Sequence, residues 1–234
     1  MRSFFSRLLF LSFSIFSFNI VGQTPIIVGA MKNVMWKGEL QGKIHLDTLS
    51  NKKHLYGLGP VEFLRGEILI MDGKSFQSSV ISDKEMKVEE GFDIKAPFFG
   101  YAVIPEWEEH MLPDSVQTLL QIEKHIYQLQ KFSRKPFLFK LEGKVENAII
   151  HVVNLAPETQ VRSPQEAHKG QVSYVIKDEE VTMLGFFSTD HQSIFTHHDT
   201  YIHIHLITSD EKKMGHLDQV TLKKGNIKFF LPKE

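Results

Sequence analysis

The stretch from Tyr201 to His216 reads YIHIHLITSDEKKMGH, placing His203 and His205 two residues apart in an apolar run and His216 after a polar interval. In a strand, successive side chains alternate faces, so Tyr201, His203 and His205 point one way while Ile202, Ile204 and Leu206 point the other. The apolar set belongs to a core. Two imidazoles one pleat apart converge well on one metal ion, and the turn within TSDEKKMG can return His216 beside them on the next strand. Three protein ligands leave positions open for water or substrate, as a catalytic zinc requires, whereas structural zinc takes four. Chance spacing is the competing reading for a chain with 12 histidines, and the His216 interval is what weighs against it.

The other histidines carry less. His191, His197 and His198 fall in TDHQSIFTHHDTY, read as a lid or solvated loop leading into the histidine strand. His45, His54, His110 and His125 stand alone and are read as surface or core residues.

The elements that must hold such a site follow from pattern. The 234 residues, 42% apolar and 11% aromatic, can fill a sizeable core. With 27 Lys+Arg against 28 Asp+Glu, the chain lacks the basic footprint of a nucleic-acid binder. No cysteine is present, which excludes disulfides, thiolate zinc sites and lipidation on cysteine. Residues 1–22 have Arg2 and Arg7 ahead of a Phe-rich apolar run ending at Val21-Gly22, and read as a secretory signal peptide. That run is shorter than the roughly 20 apolar residues of a bilayer span and is broken by serines and an asparagine, so cleavage is expected to leave no stable membrane span. The expected mature protein is a single domain over 23–234, periplasmic or secreted.

Past that leader, Ala30, Val34 and Met35 sit at helical spacing before Gly38 and predict a short helix. Glycines at 57, 59, 66 and 73 punctuate β-prone segments, with Asp72-Gly73 the strongest hairpin signal because it supplies the positive φ of a type I′ turn. Pro97 and Pro105 confine their neighbourhood to edge or interrupted strands. From Pro113 to Phe132 the apolar spacing is helical, with Asp114 or Ser115 able to cap it. The remainder is β again, without tandem repeats. The expectation is α+β: two β-rich halves of mixed or antiparallel sheet, with one long helix near their junction.

These motifs together resemble the bacterial acetolactate decarboxylases. The similar blocks, in the family's order from about Gly29 to Pro232, are YGLGPVEFLRGEILIMDGKSF, KLEGKVENAIIH, EVTMLGFFS and YIHIHLITSDEKKMGH. The resemblance implies a metal-dependent lyase converting 2-acetolactate, a small 2-hydroxy-3-keto acid, to acetoin and carbon dioxide, with zinc stabilising the enediolate. It implies zinc on His203, His205 and His216, a site role for Glu67 in coordination or proton transfer, and a homodimer. His151 aligns with a family arginine expected to meet the substrate's charged groups, and a histidine supplies a cation there only when protonated. The family's C-terminal tail, with a further glutamate, has no match after FFLPKE. Two other readings stand beside this one. A cupin-like metal enzyme also carries His-x-His on a strand, but with a glutamate a few residues later, where this chain has Asp210 and Glu211 at the turn tip. The other is an exported metal-containing binding protein without turnover.

Overall fold

The computed structural model describes residues 24–129, 135–197 and 199–233. The expected signal peptide, His198 and the end of the predicted 113–132 helix therefore lie outside the described residues, wholly or in part.

The first half of the chain forms strands β1 (Ile26–Val28), β2 (Ile44–His45), β3 (Leu55–Pro60), β4 (Glu67–Met71), β5 (Lys74–Val80), β6 (Met86–Glu90), β7 (Lys95–Ala96) and β8 (Phe99–Val103). The second half forms β9 (Trp107–His110), β10 (Phe137–Val152), β11 (Val172–Lys177), β12 (Glu180–Phe187), β13 (Ile202–Thr208) and β14 (Met214–Pro232). Among the described residues three α-helices, α1 (Met31–Lys37), α2 (Leu119–Leu129) and α3 (Pro164–Ala167), complete the α+β fold. One six-stranded sheet runs β1-β8-β3-β4-β5-β6, the other β11-β10-β12-β13-β14-β9, and β2 pairs with β7. Every strand pairing is antiparallel. The long strand β10 also pairs with β14, so β10, β12, β13 and β14 close on themselves. Register shifts near Gly143, Val145 and Ile149 let the pair bend into that closure.

Alternation sorts the side chains of the second sheet. Phe139, Met183, Ile204 and Phe229 join one core with α2, while Leu138, Leu184, Phe186 and Ile207 join another with Leu58, Leu69 and Phe98 of the first half. Each such aliphatic or aromatic side chain, fully buried, contributes about 1.5–3 kcal/mol. The site lies on the side that faces the first sheet.

The Asp72-Gly73 turn has φ of 47° and 81° and closes β4 onto β5 with Met71 opposite Lys74, the two positive φ values a type I′ turn demands. The first helix ends where expected, at Gly38 with φ 65°. Pro97 and Pro105 fall in breaks between strands. The second helix is shorter at its start than its periodicity predicts. It begins at Leu119, not Pro113, and neither Asp114 nor Ser115 caps it; the Asp114 carboxylate accepts instead from the Gly225 amide at 3.0 Å. That start is a capping box: Thr118 Oγ1 accepts from Gln121 N at 3.4 Å, and Gln121 Oε1 accepts from Thr118 N at 3.1 Å. Its buried Ile122 and Ile126 join the core of the second sheet, and Glu123 accepts from the Tyr201 amide at 3.1 Å, fixing the start of the histidine strand. Among the described residues no helix is long and apolar enough to cross a membrane.

Candidate metal centre

All seven residues of β13 are buried. Ile202, Ile204 and Leu206 fill the core shared with α2, which leaves His203 and His205 on the face toward the first sheet. The hairpin after Thr208 sets His216 directly opposite His205, and His216 in turn opposes His151 on β10. Gly215 permits that approach, because a Cβ there would stand 2.5 Å from the His151 carbonyl oxygen. Ring centroids of His203, His205 and His216 are 5.0–5.7 Å apart.

Backbone acceptors orient the two strand imidazoles. His203 Nδ1 donates to the Phe195 carbonyl and His205 Nδ1 to the Ile68 carbonyl, each at 2.9 Å. Each neutral ring then carries its lone pair on Nε2. The His205 Nε2 is buried and makes no hydrogen bond. An unsatisfied buried acceptor costs about 1–3 kcal/mol, so this lone pair is held ready for a partner of another kind.

The first sheet contributes a carboxyl. Gly66 has φ 145°, and a Cβ on it would stand 2.1 Å from the Ser78 carbonyl oxygen, so only glycine delivers Glu67 at this point. Glu67 is 3% exposed, accepts from the Val153 amide at 3.3 Å and brings Oε2 to 3.6 Å from His205 Nε2. Burial pushes its carboxyl well above the usual carboxylate range, against the Val153 hydrogen bond and with the charge of Asp218.

Two residues of the cluster escaped sequence reasoning. Asp218 accepts from His151 Nδ1 at 2.7 Å and from His216 Nδ1 at 3.2 Å; alternation from His216 would have placed it on the same face. Burial alone would raise its carboxyl, but those two hydrogen bonds and the imidazole charges carry it below the usual range. His151, His216 and Asp218 have potential ligand atoms all within 4.8 Å of one another. The second missed residue is His197, whose Nε2 stands 3.3 Å from His216 Nε2. Its segment is tied to its surroundings: His191 bonds Ser188 Oγ at 2.7 Å, and the Ile194 and Ser193 carbonyls accept from the Met31 and Lys32 amides that open α1.

Burial first, then mutual repulsion, lowers the pKa of His203 and of His205 well below the imidazole value, and burial pushes His216 down to about 3. The rings are therefore neutral lone-pair donors. A cavity of about 390 Å³ opens beside His216, lined by His197, Asp218 and Glu123 and, from the α2 side, by Leu119, Ile202 and Ile204, a size suited to a small metabolite. His151, 5% exposed, sits behind Asp218 with its ring 4.6 Å from that of His216. Asp210 and Glu211 are not part of the cluster. Asp210 closes its own turn with Thr208 and Glu211 pairs with Lys74, so the carboxylate of a cupin-type set is engaged elsewhere.

Fold and cluster together define a class: two antiparallel sheets enclosing a buried, histidine-rich centre beside a small cavity. The family model of alpha-acetolactate decarboxylase matches residues 28–232, and the chain belongs to that family. Solved acetolactate decarboxylases of Bacillus subtilis strain 168 and Bacillus subtilis subspecies spizizenii superpose with TM-scores of 0.72 and 0.73 at 18% identity, covering 90% of this chain and 86% of each of theirs. A Staphylococcus aureus protein of unknown function, described as similar to alpha-acetolactate decarboxylase, gives 0.69 at 17% identity with the same coverage. A search of curated protein sequences finds no match.

Proposed function

We propose that this chain decarboxylates 2-acetolactate to acetoin and carbon dioxide at a zinc centre held by His203, His205 and His216. The observation that carries this reading is the buried, unpartnered Nε2 of His205, set among converging imidazoles and 3.6 Å from a carboxyl group. The donor set suits the metal: neutral imidazole nitrogens fixed by carbonyl and carboxylate partners behind them are what zinc takes. Family membership supplies the substrate, and the missing cupin-type carboxylate argues against that alternative.

When bound, zinc supplies a Lewis acid that stabilises negative charge on the substrate's hydroxyl and ketone oxygens. The protein does the rest. The bond to the carboxylate breaks, its electron pair enters the enediolate, and carbon dioxide leaves. Glu67, kept protonated by burial, then delivers one proton to carbon, giving acetoin, and regains a proton from water. The Asp218 carboxylate accepts hydrogen bonds from the Nδ1–H groups of His151 and His216 and so aims the His216 lone pair. His151 acts here as a positioning residue, holding Asp218, rather than as the cation that an arginine would supply. The leader at 1–22 supports export, and the family supports a homodimer, as parts of the same proposal.

The experiment is to incubate purified mature protein with 2-acetolactate and measure acetoin and carbon dioxide. Stoichiometric release of both is expected. Acetolactate recovered intact, with the protein bound to it, would instead identify a binding protein without turnover.

A further inference from the structure

We propose that His197 is a fourth, loop-borne ligand of the centre, occupying in the resting protein the position that His203, His205 and His216 leave open. The proposal rests on the three-histidine reading above. Two nitrogens bound about 2.0–2.1 Å from a tetrahedral zinc lie about 3.3–3.4 Å apart, and His197 Nε2 stands 3.3 Å from His216 Nε2. The His197 ring centroid is 5.2 Å from that of His216 and 6.4 Å from that of His203.

The loop is built to hold it there. Phe195, fully buried, packs edge-on against Phe98 and Phe186 and lends its carbonyl to His203 Nδ1 at 2.9 Å. The same short segment thus orients one ligand and, two residues on, presents another imidazole.

Tautomers make the case chemical. The Nδ1 of His216 faces the Asp218 carboxylate at 3.2 Å and must donate to it, so the lone pair of a neutral His216 is on Nε2. Without metal, His197 Nε2–H can donate to that lone pair. For both rings to bind one metal ion through Nε2, the His197 proton has to sit on Nδ1, and two lone pairs then face each other at 3.3 Å. That arrangement is repulsive unless a cation lies between them. His197 is therefore a hydrogen-bonded stopper in the apo protein and a ligand in the loaded one. It lines the 390 Å³ cavity and also a second cavity of about 540 Å³ bounded by Lys32, Trp36 and His168, so a substrate chelating through two oxygens has to displace it or share an expanded shell.

The test uses the full chain loaded with Co²⁺, whose visible bands report ligand number and type, together with Zn²⁺ affinity by chelator competition. Outer partners of ligands are worth about 10–100-fold in affinity, and His197→Ala is expected to lose at least that and to shift and change the intensity of the cobalt bands. His197→Gln keeps a hydrogen-bonding side chain and is expected to fail equally; circular dichroism checks that both variants fold. Superimposable cobalt spectra with affinity within twofold, or rescue by Gln, would overturn the proposal. If His203→Ala abolishes metal binding while the His197 variants bind normally, only the fourth ligand falls. If wild type binds neither ion, the three-histidine centre falls with it.

Discussion

The two sheets contribute unequally to the centre. The second supplies His203, His205, His216, His151 and Asp218, all on strands β10, β13 and β14 that pair side by side. The first supplies one buried carboxyl, Glu67, and one carbonyl, that of Ile68, which donates nothing but fixes the His205 ring. Lone pairs are gathered within one sheet, and the proton is held on the other. In the proposed function the division separates metal binding from proton transfer, and substitutions on the two sheets should fail in different ways.

His203→Ala removes a lone-pair donor from the second sheet and is expected to lose both bound zinc and acetoin formation, read by metal analysis and by assay. Glu67→Gln, on the first sheet, keeps the shape without the acid. Its kcat should fall about 10²–10⁴-fold, the range of general acid catalysis, while zinc content stays that of wild type. A Glu67→Gln protein that lost its metal would break the division and make Glu67 a ligand. Asp218→Ala removes the acceptor behind His216 and His151, and zinc affinity should drop about 10–100-fold by competition titration. Rescue of turnover at saturating zinc would mark Asp218 as an orienting group. Gly66→Ala forces a side chain into a positive-φ site beside the Ser78 carbonyl; a loss of about 1–3 kcal/mol is expected in denaturant melts, together with misplacement of Glu67.

How much of this was legible in the sequence depended on whether a feature was local. Alternation in YIHIHLIT placed the two imidazoles on one face, and the Asp72-Gly73 turn and the Gly38 helix end followed from φ requirements carried by single residues. The start of α2 was also written locally, as Thr118 and Gln121, but the apolar spacing of Val116 and Leu119 extended the apparent helix toward Pro113. The approach of Glu67 to His205 depends on how two sheets stack, which no periodicity encodes. Nor does any pattern say that the loop before β13 turns inward. Phe195 and its carbonyl do that through contacts distant in sequence, and His197 follows them.

Metal-dependent turnover is the central claim, and chelation with restoration tests it most directly. Purified protein stripped by a chelator to negligible metal content should form no acetoin from 2-acetolactate, and one equivalent of zinc should restore the original rate. Acetoin formation at the same rate in protein shown to contain no metal would contradict the account.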